Sequence, residues 1–403
     1  MVNIGLLGLG TVGSGVVEIL DKRKEKLKGL TGHDIRIKKV LVNDSSKKRK
    51  LDPEIELVLD FDEILHDEEI SIIVEVTGDV ENSYKYISQG LKAGKNIVTA
   101  NKAVVSKYFE EFSALAKEKD LAFLYEASVA GGIPVLKPLK EQLLLNEVSQ
   151  VQGILNGTCN YILSRMIDEG KNYHDILKSA QDMGYAEADP TADVDGIDTM
   201  RKLRILATLS LQGKINEEDI FMDGISSITS FDIEVIKKMN STVKLIGEAK
   251  SYKDGFTAVV QPTIVPRDNY FANVNLAHNS VAFNGSEVGE LKFYGPGAGK
   301  LPTGNAVLSD VLDIVTKTYK KNNPLGTAEL KNYNHEIKGR YYLRVSDADD
   351  NIVRSLRRIS EEMPSNKGQV AIITNEIGLM EIKDLLDSLN IEKGRYFLGR
   401  ILD

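Results

Sequence analysis

The residues best suited to chemistry lie between Gly184 and Lys202, where the chain reads GYAEADPTADVDGIDTMRK. Asp198 precedes Lys202 by four residues, a spacing that puts acid and amine on one face of a helix. Such a segment could hold an ammonium-bearing substrate and offer it a proton. Considered alone, it is better interpreted as a solvated acidic loop with a surface ion pair, because such pairs are common and contribute little. The carboxylates of the stretch are Glu187, Asp189, Asp193, Asp195 and Asp198.

A glycine-rich loop near the N-terminus predicts a dinucleotide site that this segment could face. The sequence GLGTVG follows an apolar run of strand length and precedes a helical pattern, which is GxGxxG in its proper context. Gly8 permits the tight turn, Gly10 lets a diphosphate approach the backbone, and Gly13 lets helix and strand pack closely. The helix N-terminus, with Thr11 and Val12, supplies free N–H groups. A tight turn without a ligand is the alternative.

The elements that follow predict a parallel, doubly wound α/β sheet. Helical patterns alternate with apolar runs at 35–42, 70–76, 95–100 and 121–125. Ligands of such sheets bind beyond the carboxyl ends of the strands. Thr77, Lys102 and Glu126 fall at these ends. Lys102 is therefore placed to meet the nicotinamide half of a cofactor or the substrate.

The end of the second predicted strand bears on the choice of cofactor. Asn43 comes first, followed by Asp44 and a basic run, KKRK, that starts at Lys47. An acid at this point holds the 2′-hydroxyl of NAD, whereas basic residues can neutralise the 2′-phosphate of NADP. A solvated basic loop explains the run equally well. We predict NADP, with NAD possible, and contacts from Asn43 and Lys47.

Beyond residue 130 the pattern becomes mixed, and the 403 residues allow two or three domains. We predict a dinucleotide-binding domain at 1–130 and an α+β substrate-binding and dimerisation domain with an open sheet at 131–302. A second glycine-rich turn, YGPGAG, precedes a helical pattern. We interpret it as a loop that reaches back over the cofactor through Gly297 and Gly299, with a hinge as the alternative. The helix near 303–320 would complete the first domain.

The C-terminal segment carries a β-α-β-α-β pattern at 339–403, after a linker at 321–338. No strand is obvious between the helical pattern that starts at Ile352 and the apolar run that starts at Val370. The loop DADDN before that helix contains no glycine. The pattern predicts a small third domain of reduced size.

Composition excludes several classes of protein. The net charge of −8 provides no basic surface for nucleic acid or an anionic membrane. No apolar run reaches the ~18 residues of a membrane-spanning helix. The single cysteine, Cys159, excludes an intramolecular disulfide and fits a reducing compartment. A cytoplasmic protein acting on a small molecule is the expectation.

Six motifs, in this order, resemble the homoserine dehydrogenase family. They are GLGTVGSG, TANK, YEASVAGGIP, GILNGTCNYIL, GYAEADPTADVDGIDTMRKL and YGPGAGKLPTGNAV. The resemblance covers roughly residues 1–320, and the tail resembles a curtailed ACT-type regulatory domain. It implies NAD(P)H-dependent, reversible reduction of L-aspartate 4-semialdehyde to L-homoserine, in threonine and methionine biosynthesis.

The resemblance also implies roles for individual residues. Lys202 would give the proton to the aldehyde oxygen, Lys102 would assist it and contact both cofactor and substrate, and Asp198 would orient Lys202 or bind substrate. Glu187 and Asp193 would hold the substrate's amino group. Other implied contacts are Asn156, Gly157 and Thr158 for the substrate, Gly184 for the cofactor, and Glu126, Val129, Gly131 and Ile133 for a structural sodium ion, mostly through backbone carbonyls.

The residue types agree with that chemistry. Hydride transfer leaves an alkoxide on the substrate, so an acid must supply a proton. The histidines are scattered, but a lysine can serve when desolvation or a second cation lowers its pKa. Two alternatives stay open: a related NAD(P)-dependent amino-acid semialdehyde dehydrogenase, and a non-catalytic dinucleotide-sensing regulator. The open sheet predicts at least a homodimer, or a homotetramer.

Overall fold

The computed structural model describes residues 1–47, 49, 51–319, 326, 328–362, 365, 366 and 368–402. The chain divides into two units: the first joins 1–145 to 295–326, and the second joins 146–294 to 327–403. Part of the predicted linker, residues 321–325 and 327, lies outside the described residues. Within the described ranges, no helix combines the length and apolarity needed to cross a membrane.

The first unit is built on the predicted parallel, Rossmann-type sheet, which is confirmed. Its strands are β1 (Val2–Leu7), β2 (Ile35–Leu41), β3 (Glu56–Val58), β4 (Ile70–Glu75), β5 (Asn96–Thr99) and β6 (Phe123–Leu124), in the spatial order β3-β2-β1-β4-β5-β6. The strand order reverses beside β1, so the loop after β1 lies at the switch point where such sheets bind ligands. The helices of this part are α1 (Thr11–Thr31), α2 (Asp62–Leu65), α3 (Val80–Lys92), α4 (Lys102–Glu118) and α5 (Leu136–Gln142).

Two strands of this sheet differ from the prediction. β3 was not predicted, because three residues with one buried side chain carry too little periodicity to be recognised. The run at 121–125 forms only the two-residue strand β6, after which the chain turns into a short 3₁₀ helix at Glu126–Ser128. The carboxyl end of the strand nevertheless falls close to Glu126, as expected.

The second unit contains a mixed sheet with helices packed on it. The remaining strands are β7 (Val148–Ile154), β8 (Phe221–Met222), β9 (Ser241–Tyr252), β10 (Gly255–Pro266), β11 (His278–Gly285), β12 (Gly289–Pro296), β13 (Lys331–Asn332), β14 (Lys338–Ser346), β15 (Ser360–Glu362), β16 (Ser365–Asn366), β17 (Gln369–Thr374), β18 (Ile377–Gly378) and β19 (Tyr396–Ile401). The remaining helices are α6 (Gly157–Glu169), α7 (Tyr173–Asp182), α8 (Thr191–Val194), α9 (Ile197–Ser210), α10 (Ser230–Lys238), α11 (Lys300–Val315), α12 (Asp350–Arg357) and α13 (Leu379–Ser388).

Helix α11 returns to the first unit after the second glycine-rich turn. Its buried side chains, among them Val307 and Val311, join one hydrophobic cluster with Ile4 and Leu6 of β1. The helix starts at Lys300, three residues earlier than its apolar pattern suggests. The core of the first unit is therefore made from both ends of its sequence.

The C-terminal strands continue the sheet of the second unit. β19 pairs in parallel with β10, through Thr263 and Arg400, and antiparallel with β14. Apart from the two-residue strands β16 and β18, the element order β14-α12-β15-β17-α13-β19 is β-α-β-β-α-β, a known split βαβ arrangement. The ACT-type assignment and the separate third domain stay predictions.

One expectation about this segment is wrong. A strand, β15, does lie between α12 and β17, and it pairs antiparallel with β17. Its sequence is Ser-Glu-Glu, which has none of the apolar or β-branched residues that mark strands. Backbone pairing, rather than side-chain pattern, makes this segment a strand.

Candidate active site

The loop after β1 has the backbone geometry of a diphosphate site. Gly8 adopts φ +97°, and a Cβ on Gly13 would lie 2.2 Å from the carbonyl oxygen of Gly8. Helix α1 begins at Thr11 after Gly10, which provides no side-chain cap. A Cβ on Gly10 would meet no described atom within 4 Å. The first N–H groups of α1 thus have no side-chain cap from Gly10, which leaves the helix N-terminus able to bind an incoming anion.

A cavity of 430 Å³ lies beside this loop and collects predicted cofactor contacts. Gly8, Gly10, Asn43, Lys47 and Thr77 all line it. Sequence reasoning assigned no contact to other lining residues: Asp79, Asn82 and Tyr86. A larger cavity of 840 Å³ runs along α1 and β2 and shares Leu9 and Arg49 with the first.

Polar residues at the second strand end, including Asp44, line the cavity of 430 Å³. Asp44 accepts hydrogen bonds from the backbone N–H and the hydroxyl of Ser46, at 2.8 and 2.6 Å. These bonds lower the pKa of Asp44. Lys47 and Arg49 line the cavity, whereas Lys48 and Lys50 lie outside the described residues.

Lys102 is positioned by the cap of its own helix. Asn101 precedes α4, and its side-chain oxygen accepts the N–H groups of Ala103 and Val104 at 3.1 and 3.2 Å. The Asn101 amide in turn donates to Ser83 at 3.0 Å. Lys102 is therefore the first residue of a capped helix at a strand end, and it is half-buried.

Lys202 is a buried lysine whose ammonium group is held on two sides. Its Nζ donates to Asp198 Oδ2 at 2.8 Å and to the carbonyl oxygen of Leu155 at 2.7 Å. Lys202 is 8% exposed and Asp198 is 4% exposed. The surface ion pair that the sequence alone favoured is therefore excluded, because both charges are desolvated. Buried charges persist only when paired or hydrogen-bonded.

Asn156 joins this pair to a second acid. Its side-chain amide donates to Asp198 Oδ2 at 2.8 Å and to Asp193 Oδ1 at 2.7 Å. Its oxygen accepts the N–H of Cys159 and so caps α6. Burial raises the pKa of Asp193, against the lowering effect of the hydrogen bond from Asn156. Asn156, the N-cap of α6, thus holds the carboxylates of Asp193 and Asp198 through its side-chain amide, and Asp198 is bonded to Lys202.

Known proteins are similar in sequence to this chain over nearly its whole length. Residues 134–312 match a family model described as homoserine dehydrogenase, and residues 8–126 match one described as homoserine dehydrogenase, NAD binding domain. A homoserine dehydrogenase of Bacillus subtilis (strain 168) is 38% identical, and the alignment covers 96% of this chain and 95% of that protein. The chain belongs to the homoserine dehydrogenase family.

Solved structures agree with this membership. The homoserine dehydrogenase from Thiobacillus denitrificans matches with a TM-score of 0.91 at 33% identity, over 100% of this chain and 98% of that one. A homoserine dehydrogenase from S. aureus, at pH 7.5, matches with a TM-score of 0.79 at 34% identity, over 99% and 98%. The protein is an NAD(P)-dependent oxidoreductase acting on a CH–OH group. Neither alternative function receives support.

The other acids of the homoserine dehydrogenase motif at 184–202 take part in contacts of their own. Glu187 is exposed, and its backbone carbonyl oxygen accepts from the side-chain amide of Gln181 at 3.0 Å. Asp189 accepts the N–H of Thr191, and Asp195 accepts the hydroxyl of Ser226. The substrate role of Glu187 stays a prediction.

Other residues predicted from the homoserine dehydrogenase resemblance flank the cluster. Gly157 is the first residue of α6, and a Cβ there would lie 2.9 Å from the carbonyl oxygen of Ala277. Thr158 donates its hydroxyl to the carbonyl of Tyr185 at 2.8 Å, which ties α6 to the acidic segment. Gly184 is exposed, after α7.

Cys159 is packed inside the second unit. It is fully buried, and its thiol donates to the carbonyl oxygen of Asp193 at 3.1 Å. Burial raises the pKa of the Cys159 thiol, and the negative charge of Asp193 adds to this effect. A thiol held in its neutral form is a poor nucleophile.

The segment predicted to hold sodium forms a tightly turned loop in the first unit. The buried Glu126 carboxylate accepts the N–H groups of Val135, Leu136 and Lys137 at 2.6, 2.8 and 2.9 Å, which caps α5. Gly131 adopts φ +58°, and a Cβ there would lie 2.2 Å from the carbonyl oxygen of Gly297. Val129 and Ile133 are buried, and Gly299 precedes α11 at φ +128°.

Two polar residues that support the site were missed by sequence reasoning. Asn279 of β11 is fully buried and donates to the carbonyl oxygen of Leu155 at 2.9 Å, the same oxygen that accepts from Lys202. Glu75, also fully buried, accepts the N–H and hydroxyl of Thr77 and the hydroxyl of Thr99, each at 2.7 Å. An acid that ends an apolar strand was the available signal for Glu75. The sequence offered none for Asn279.

Proposed function

We propose that Lys202 donates the proton in the reduction of L-aspartate 4-semialdehyde to L-homoserine and accepts it in the reverse direction. The observation that carries this is the buried ammonium group held by Asp198 and the Leu155 carbonyl. When bound, the nicotinamide cofactor supplies the hydride. The oxygen that gains negative charge then needs a proton donor, and a lysine positioned in a buried site can serve as one.

Asp193 and Glu187 are proposed to hold the substrate's ammonium group. Burial leaves the Asp193 carboxylate poorly solvated, which raises its pKa. The carboxylate therefore gains from a cation that arrives with the substrate. Asp198 is proposed to orient Lys202, because its oxygen accepts from both Lys202 and Asn156. Lys102, the half-buried first residue of α4, is proposed to assist Lys202.

NADP is the proposed preferred cofactor. The glycine geometry and the open N-terminus of α1 fit a dinucleotide diphosphate, with Gly8, Gly10, Thr11, Val12 and Gly13 around it. Lys47 and Arg49 line the adjacent cavity, where they could neutralise a 2′-phosphate. The Asp44 carboxylate also lines this cavity and could hold a ribose 2′-hydroxyl, although its Oδ1 already accepts two hydrogen bonds from Ser46.

An assay of L-homoserine oxidation with each cofactor tests the activity and the preference together. We expect the absorbance of reduced nicotinamide to appear with both, and kcat/KM to be higher with NADP⁺. An absence of signal with either cofactor would contradict the activity. A higher kcat/KM with NAD⁺ would contradict only the cofactor preference.

A sodium ion is proposed at the loop that contains Glu126, Val129, Gly131 and Ile133. Their carbonyl oxygens are hard donors of the kind that such cations prefer, and two consecutive left-handed residues, Ala130 and Gly131, turn the loop sharply. The ion would hold the loop rather than take part in the reaction. We expect sodium chloride to raise the melting temperature more than choline chloride does, and equal effects would contradict the site.

A homodimer or homotetramer is proposed from the sheet of the second unit. β12 forms one end of the strand order and leaves an edge open to pairing. Sedimentation should give a mass of at least twice 44.5 kDa. A single monomeric species across the working concentration range would contradict this assembly.

A further inference from the structure

A strip of chain at 221–227 contacts the C-terminal segment on one side. On the other side it contacts the one-turn helix α8 and the turn after it, residues 191–196, which together are called the loop of Asp193. The strip includes β8, which pairs with β10 through Phe221 and Met222. The strip then passes the loop at 191–196 before α10 begins. All these residues belong to the second unit. A displacement of the strip would therefore shift its contacts with both the C-terminal segment and the loop of Asp193.

Backbone contacts join the strip to the loop of Asp193. The N–H of Ile225 donates to the carbonyl oxygen of Val194 at 2.8 Å. Gly224 lies flat on the same loop, because a Cβ on it would be 2.3 Å from Val194 O and 2.6 Å from Asp195 Cα. Asp193 immediately precedes these atoms in the chain. With no side chain between the two backbones, the strip supports Asp193 from one side, in addition to the hydrogen bonds from Asn156 and Cys159.

An ion pair joins the strip to the C-terminal segment. Lys383 of α13 approaches Asp223 with Nζ and Oδ2 2.5 Å apart, and it also donates to the hydroxyl of Tyr396 at 2.9 Å. The side chains of Lys383 and Asp223 are 15% and 12% exposed. Burial lowers the pKa of Lys383, but the charge and hydrogen bond of Asp223 outweigh it and the pKa is raised. Lys383 thus keeps its positive charge in the folded protein.

A second contact keeps the C-terminal segment attached independently of that pair. Arg344 of β14 is fully buried, donates to the carbonyl oxygen of Ser227, and pairs with Asp232 at 3.2 Å. Tyr342 also donates to Asp232, at 2.7 Å. The Lys383–Asp223 pair is therefore not needed to hold this segment in place. A buried ion pair is weak evidence for stability, because the cost of desolvating both charges can exceed their mutual attraction.

We propose that the Lys383–Asp223 ion pair positions the loop of Asp193 for the amino-acid substrate. Lys383 is then a positioning residue, 190 residues along the chain from the carboxylate it places. The inference rests on the proposed role of Asp193 in binding the substrate's ammonium group. On this inference, the C-terminal segment contributes to the affinity for the substrate at all times, and no effector has to bind to it.

The test is the double variant Asp223→Asn with Lys383→Met, which removes the pair and leaves no unpaired charge. We expect KM for L-homoserine to rise about tenfold, well below the ~100-fold loss that a 1 Å misplacement can cause. KM for the nicotinamide cofactor should stay unchanged, and the melting temperature should change little. Lys383→Arg, which keeps the charge, should retain most of the affinity. Lys393→Met, at an exposed lysine of the same segment, is the matched control.

An unchanged KM for L-homoserine in the double variant would overturn the inference. A second outcome would also overturn it: equal losses of kcat/KM for L-homoserine and for the cofactor, together with a lower melting temperature. That pattern is the result of a purely structural role. The variant Asp193→Asn separates this inference from the proposal that Asp193 binds the substrate's ammonium group. If that variant raises KM and the double variant does not, only the positioning role fails. If Asp193→Asn leaves KM unchanged, the proposed substrate contact itself fails.

Discussion

Replacing Lys202 with Ala is expected to reduce turnover by about 10²–10⁴-fold, the contribution typical of a positioned acid–base group. The variant loses the buried ammonium group, and neither Asp198 nor Asn156 can supply a proton in its place. Asp198 keeps its hydrogen bond from Asn156, so the site should stay folded. Cofactor affinity should be nearly unchanged, because the glycine loop and Lys202 belong to different units. Steady-state kinetics and direct cofactor binding measure the two effects separately.

Lys244→Met is the matched control for removing a buried lysine from the same unit. Lys244 is fully buried and donates to Asn160, Asn275 and the carbonyl oxygen of Val274. Burial lowers the pKa of Lys244 to about 8. We expect this control to lower the melting temperature but to keep its turnover. If Lys202→Ala also retained near-normal turnover, Lys202 could not be the proton donor.

The sequence was sufficient to predict the parts of the fold that depend on residues close together in the chain. The strand, glycine loop and helix at 2–31 are consecutive, so their apolar periods and glycines specify the turn between them. The pair Asp198 and Lys202 was found for the same reason, since a helix alone brings them together. What the sequence left open was the burial of this pair, because burial depends on elements distant in the chain.

The supporting residues of the site show why the rest could not be predicted. Asn279 bonds to the carbonyl of Leu155 across 124 residues of chain, and it does so because β11 pairs with β7. Nothing in a local pattern selects that pairing from the others the strands could make. Asn156 was expected as a substrate contact, whereas its observed bonds are to Asp193 and Asp198. Its substrate role stays a prediction, and its role in orienting the two acids is visible only in three dimensions.

Replacing Gly10 with Ala is expected to reduce kcat/KM for the cofactor about 100-fold, the loss associated with a displacement of about 1 Å. The added methyl group would occupy the space through which a diphosphate approaches the backbone. In the protein without ligand, that methyl group meets no described atom within 4 Å, and φ of −77° suits any residue. The melting temperature without cofactor should therefore change little. Thermal shift with and without NADP⁺, together with kinetics, measures both quantities.

The choice of Gly10 rather than Gly13 makes this test specific for the ligand. A Cβ on Gly13 would lie 2.2 Å from Gly8 O, so Gly13→Ala would distort the fold, and a loss of binding would have two explanations. Gly29→Ala is the matched control, since Gly29 is in α1 and also has no described neighbour within 4 Å. It should stabilise the helix by about 0.5–1 kcal/mol and leave cofactor affinity unchanged. Equal cofactor affinity in the Gly10 and Gly29 variants would place the diphosphate somewhere other than this loop.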